Sequence, residues 1–136
     1  MGRILAIDYG LKRTGIAVTD PLQIIANGLE TVPSHQLLTF LANYMAKEEV
    51  DEMVIGMPKN LDNTDTDSTQ AVRNIVKQIQ KKFPAVPLRL HDERFTSQMA
   101  MKAMIAGGMS KKDRRVKATV DRVSATIILQ SYMESK

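Results

Sequence analysis

The chain contains no cysteine and no tryptophan, and only two histidines, His35 and His91. Without cysteine there are no disulfides, no thiolate nucleophile and no zinc–sulfur site. Two histidines are too few for a histidine-rich metal centre, so a bound metal would rest mostly on oxygen donors, which suits magnesium or manganese. Aromatics are scarce as well, three Tyr and three Phe, too few for a platform on which nucleic-acid bases stack. No apolar run approaches the roughly 20 residues that span a bilayer, and no charged leader precedes the first strand, so the expectation is a cytoplasmic protein with no membrane partner.

The composition is that of a globular protein, with 43% hydrophobic and 25% charged residues in 136. That length suits one domain, residues 1–136, with a single core. The formal net charge of +4 is unevenly spread. Between Arg89 and Arg122 nine bases face four acids, so this stretch holds +5 and the rest of the chain −1. Concentrated positive charge is the footprint of a polyanion partner, although a solvated basic face also occurs in proteins that bind nothing charged.

Apolar patterning predicts the elements. Ile4–Ile7 is a short run rich in branched side chains that ends on Asp8, and Tyr9 to Arg13 turns the chain, with Gly10 supplying positive φ. Thr14 to Thr19 returns as a second strand, and Ile24 to Val32 forms a third, bulged near Gly28. A first helix opens at Pro33-Ser34 with Ser34 as N-cap and Leu37, Leu38, Leu41, Tyr44 and Met45 on one face. Glu52 to Met57 is a fourth strand, stopped by Pro58. The acid-rich loop Lys59 to Asp67 lacks the central Gly and distal Glu of a calcium loop, so it is expected to be solvated, with Asp67 or Ser68 capping the next helix.

That helix carries Ala71, Val72, Ile75, Val76, Ile79 and Phe83 on one stripe and ends at Pro84. Val86 to His91 is a fifth strand, in which His91 alternates with apolar neighbours and is expected to be a satisfied sheet histidine. A third helix, Gln98 to Ile105, closes at Gly107-Gly108, and the last runs from Thr119 to Met133 with Val120, Val123, Ile127 and Ile128 inward. The order predicts an α/β fold with a mixed five-stranded sheet, three antiparallel strands followed by β-α-β-α-β, and helices on both faces.

Three carboxylates fall at comparable places: Asp8 ending strand one, Glu93 just past strand five, and Asp121 at the start of the last helix. Asp8 has a plain structural role open to it, capping its turn or pairing with Arg13, and an acid early in a helix is stabilised by the helix dipole alone. Of Asp92 and Glu93, only one can share a face with Asp8. If strand one is central, the acids could converge at the rim where ligands of such sheets gather, and their mutual repulsion would be relieved by hard divalent cations. Two such ions support phosphodiester hydrolysis.

Ile7-Asp8-Tyr9-Gly10 with Arg13-Thr14-Gly15-Ile16-Ala17, then Gly56-Met57-Pro58, then Asp92-Glu93-Arg94-Phe95-Thr96-Ser97, then Val120-Asp121 leading into Ile127-Ile128-Leu129-Gln130, resembles the successive motifs of the YqgF/RuvX family over essentially the whole chain. The resemblance implies a ribonuclease H-like fold and a metal-dependent nuclease of the bacterial cytoplasm that processes the 5′ end of precursor 16S ribosomal RNA, or else resolves Holliday junctions. It implies Asp8, Glu93 and Asp121 as catalytic acids and ligands of Mg2+ or Mn2+, with Arg13, Arg94 and Thr96 beside them. Lys111, Lys112, Arg114 and Arg115, next to Gly107-Gly108, are candidate phosphate contacts. The chain departs from the family at Asp62-Asn63, where an Asp-Gly-like turn is usual, and at Ser124, where a small apolar residue is usual.

The partner implied is precursor rRNA or branched DNA, and the chain is expected to be a monomer or weak homodimer. Two rival readings remain. The hairpin from Asp8 through Gly10 and Gly15 to Asp20 also resembles the phosphate-binding turn of sugar kinases and actin-like ATPases, although the length provides one lobe only. A non-catalytic nucleic-acid-binding module would share the basic stretch without cleaving.

Overall fold

The structure is a computed structural model that describes residues 2–57, 67–92 and 117–134. Strands β1 (Arg3–Tyr9), β2 (Arg13–Thr19), β3 (Ala26–Pro33), β4 (Val50–Met57) and β5 (Leu88–Asp92) form one sheet in the order β3-β2-β1-β4-β5. β1 and β3 flank β2 antiparallel, while β1, β4 and β5 run parallel. This is the mixed sheet expected from the sequence, with β1 central. Three helices are described: α1 (Leu37–Lys47), α2 (Asp67–Lys82) and α3 (Lys117–Glu134). The predicted third helix, Gln98 to Ile105, and the loop Lys59 to Thr66 lie outside the described residues, as do the side chains of Asp67 and Ser68.

The two-residue period of β1 sorts its side chains into two cores. Leu5 and Ile7 join Leu37 and Leu41 of α1 and Val72, Ile75 and Ile79 of α2. Ile4 and Ala6 join Ala17, Val54, and Ala125, Ile128 and Leu129 of α3. Because both faces are covered, β1 shows as an uninterrupted apolar run, and each of its fully buried aliphatics stabilises the fold by about 1.5–3 kcal/mol. Three alanines that are 0% exposed, Ala6, Ala17 and Ala125, let α3 lie close to the sheet. Among the described residues no helix is long and apolar enough to cross a membrane.

The bulge expected near Gly28 is present: Ile16 pairs with Glu30 and Ala17 with Gly28, leaving Leu29 as the extra residue. His91 is satisfied, its Nε2 lying 2.8 Å from Ser131 Oγ and its ring edge-on to Tyr132, whose hydroxyl donates to Glu52 Oε2 at 2.8 Å.

Three expectations are corrected. β3 begins at Ala26 rather than Ile24, because the amides of Leu22, Ile24 and Ile25 donate to the Asp20 carboxylate at 3.1, 2.8 and 2.8 Å. Ser34 is not an N-cap: it opens a 3-10 turn, Ser34–Gln36, and makes no capping bond, its hydroxyl being engaged elsewhere. Helix α3 starts at Lys117, and among the described side chains its buried set is Ser124, Ala125, Ile127, Ile128 and Leu129, with Val123 only half-buried and Val120 outside the described side chains.

Candidate active site

Asp8 is half-buried at the end of the central strand. Alternation places it on the same side of β1 as Ile4 and Ala6, the side that α3 covers. Its cross-strand partner on β2 is Gly15. On the other flank Ile7 pairs with Ile55, so the next residue of β4, Gly56, is level with Asp8, and Gly56 in turn pairs with His91. The residue directly level with Asp8 on each neighbouring strand is therefore a glycine, where any other residue would bring a Cβ within about 4.5–5.5 Å.

The turn after Asp8 is fixed by hydrogen bonds. The Gly10 amide donates to the Arg13 carbonyl at 3.0 Å, and the Ser34 amide donates to the Lys12 carbonyl at 2.9 Å. Ser34 Oγ donates to the Gly10 carbonyl at 2.6 Å and lies 2.8 Å from Thr14 Oγ1. A serine hydroxyl has one hydrogen, so Thr14 is the donor in that second bond. Gly10 is needed for this close approach rather than for the positive φ expected: a Cβ there would stand 2.5 Å from the Arg13 carbonyl oxygen.

The other residues singled out from the sequence divide clearly. Arg13 opens β2, half-buried, on the strand face of Gly15 and Ala17, the same side as Asp8. Asp121 belongs to α3, one turn before the buried Ala125, although its side chain is outside the described residues. Because α3 starts at Lys117 there is no acid in its first turn, which weakens a purely helix-capping account of Asp121. Glu93 follows immediately on β5 but lies outside the described residues, together with Arg94, Thr96, Lys111, Lys112, Arg114 and Arg115. Among the described residues no three potential ligands cluster. The sequence offered Ser34 as an N-cap and Gly15 and Gly56 within the motifs quoted above, but not the tie of Ser34 to Gly10 or the position of both glycines level with Asp8.

The model of the RuvX family, described as Holliday junction resolvase, matches residues 2–135. A protein of Phocaeicola vulgatus named "Putative pre-16S rRNA nuclease" is 57% identical over 136 residues, 100% of this chain and 98% of that one. One of the same name from Bacteroides thetaiotaomicron is 54% identical over 136 residues, 100% and 99% of the two chains. Among solved structures, T. thermophilus RuvC in complex with Holliday junction substrate superposes with a TM-score of 0.60 over 99% of this chain and 98% of that one, at 13% identity. At that identity the likeness is one of fold, and the fold is ribonuclease H-like.

Proposed function

Since this chain belongs to the RuvX family, we propose that it is a nuclease that processes the 5′ end of precursor 16S ribosomal RNA, using divalent cations held by Asp8, Glu93 and Asp121. The observation that carries this reading is the position of Asp8 at the end of the central strand, between two glycines and on the face covered by the helix that bears Asp121. Strand parity supports Glu93 over Asp92 as the third acid. His91 reaches Ser131 of α3, so its side of β5 is the side of Asp8, and in the sequence Glu93 shares the parity of His91 while Asp92 does not.

The donor set fits a hard cation: every candidate ligand is a carboxylate, there is no cysteine, and the ring of His91 is already engaged by Ser131. When bound, magnesium or manganese supplies Lewis acidity and a water of lowered pKa. Arg13 and Arg94 hold phosphate oxygens beside the carboxylates, and Lys111, Lys112, Arg114 and Arg115 hold the backbone further out. The Ser34–Gly10 clamp keeps the Asp8 turn in place.

A second reading, cleavage of branched DNA, is favoured by the description of the family model. One assay separates the two: a precursor-rRNA fragment and a four-way DNA junction are incubated side by side with Mg2+ or Mn2+. The rRNA fragment is expected to be cut and the junction spared. Losing even a group that only hydrogen-bonds to a metal ligand costs about 10–100-fold, so Asp8→Asn should lower cleavage by more than about a hundredfold while binding persists. Binding without cleavage of either substrate under any divalent ion would make the protein a binding module and end the nuclease reading.

A further inference from the structure

From Ser68 to His91 the chain carries five bases and no acid. Three of the bases, Arg73, Lys77 and Lys81, recur every fourth residue on α2 and are exposed, forming a ridge about 12 Å long. A duplex strand carries one phosphate per about 3.4 Å, so the ridge matches roughly three. Beside it lies a groove of about 350 Å³ between α2 and the ends of β4 and β5. Arg73, Lys77, Gln70 and Gln80 form its wall, and Met57 and Leu90 belong to its floor. Leu90, on the edge strand β5, is 54% exposed and gives the groove an apolar surface.

The groove is separate from the acid site. Met57 packs in the core under α1 and α2, so the groove opens on the sheet face opposite Asp8. Both nevertheless lie at one rim, because Gly56 is level with Asp8 and Met57 is the next residue and the last of β4. A strand cut at Asp8 would reach the groove by passing over that rim.

Cations along one wall attract phosphates, and an aliphatic floor flanked by amides suits the face and edges of a base that has left its stack. The volume is at the lower end of the range for small-ligand pockets, about 300–1,000 Å³, which suits a single nucleotide rather than a duplex. Resting on the nuclease reading above, we propose that this groove binds one unpaired nucleotide of the RNA next to the cut, with its base on Met57 and Leu90 and its phosphates on Arg73 and Lys77. The preferred substrate is then a duplex with a single-stranded extension.

The test uses the full chain carrying Asp8→Asn and two RNAs with the same duplex, one blunt and one with a short single-stranded overhang, with binding followed by fluorescence anisotropy across a salt series. The overhang RNA is expected to bind about tenfold more tightly than the blunt one. Adding Arg73→Ala and Lys77→Ala should bring that ratio close to one and reduce the salt slope for the overhang RNA by about 1.4, the single-strand value for two phosphates. Leu90→Glu, at an exposed position, should also collapse the ratio, and unchanged melting temperatures would show that both variants fold. Equal affinity of the Asp8→Asn chain for the two RNAs, or a loss in the variants that leaves the ratio intact, overturns the proposal. The outcome is independent of cleavage by the unaltered chain: cutting with a ratio of one removes the groove and keeps the nuclease, whereas an Arg73- and Lys77-dependent ratio without cutting does the reverse.

Discussion

Ser34→Ala removes the hydroxyl that ties the start of the first helical segment to the turn after Asp8. Two hydrogen bonds are lost, Thr14 Oγ1 to Ser34 Oγ at 2.8 Å and Ser34 Oγ to the Gly10 carbonyl at 2.6 Å. Each is worth about 1 kcal/mol net, and the Thr14 hydroxyl, on a residue that is 0% exposed, is left without its acceptor. The expected cost is about 2–3 kcal/mol. For 136 residues the unfolding entropy makes 1 kcal/mol equivalent to about 3.5 °C, so the melting temperature should fall by about 7–10 °C. Thr14→Val removes the donor, and because the two substitutions share one bond, the double variant should cost about 1 kcal/mol less than the sum of the singles. Since the freed turn adjoins Asp8, cleavage measured well below the melting transition should fall about tenfold, as expected for a misplaced catalytic group. The assays are thermal unfolding of the four proteins of the cycle and single-turnover cleavage of the rRNA fragment. A Ser34→Ala protein that melts within about 1 °C of the parent, with no coupling to Thr14→Val, would refute the clamp.

Overpacking beneath α3 should act on the site indirectly: Ala6→Leu, at a position 0% exposed and shared with Ala17 and Ala125, is expected to cost about 1–3 kcal/mol and to lower cleavage by lifting the helix away from Asp8, read by unfolding and by activity. A divalent ion held by the carboxylates stabilises the native state by about 2.7 kcal/mol at a hundred times its Kd, so Mg2+ should raise the melting temperature by about 9 °C, and a shift that survives unchanged in Asp8→Asn would remove Asp8 from the ligand set. The Asp20 carboxyl is held below its usual range, chiefly by the Ile25 amide and further by those of Ile24 and Leu22. Its contribution is therefore present above the ordinary carboxylate pKa of 3.8 and lost as pH falls through the lower folded value. Hydrogen-exchange protection of the Leu22, Ile24 and Ile25 amides should weaken over that acid range and be weak at neutral pH in Asp20→Ala; protection in that variant equal to the parent's would exclude the carboxylate as their acceptor.

What was legible in the sequence is what depends on periodicity. The doubly buried run of β1 and the order of antiparallel then parallel strands follow from the spacing of apolar residues, which survives folding because burial dominates the energetics, and the bulge follows from Gly28 inside a strand run. The errors lie where a contact across the chain overrode a local rule. Ser34 follows a proline and precedes an apolar helix, the signature of an N-cap, yet its hydroxyl bonds to Gly10, 24 residues away. Ile24 and Ile25 have strand-forming side chains, but Asp20 takes their amides, and they are left 65% and 59% exposed. In α3 the closely packed residue is Ala125, too small to stand out in a hydrophobicity pattern and buried because it is small. The position of Asp8 was legible as a strand end, but its being level with a glycine on each neighbouring strand depends on the register with Gly15 and Gly56, which only the sheet supplies.

The same register makes the core and the candidate site one constraint. Ile4 and Ala6 are 1% and 0% exposed only because α3 covers them, and alternation obliges Asp8 to share their side of β1. Burial of Ile4, Ile128 and Leu129 contributes several kcal/mol to holding α3 over that face of the sheet. A one-residue slip of β1 would instead turn the carboxylate toward Leu37 and Val72, where desolvation would cost more than the sheet could supply. Hydrophobic packing therefore selects the one register in which Asp8 and the helix bearing Asp121 share a face of the sheet.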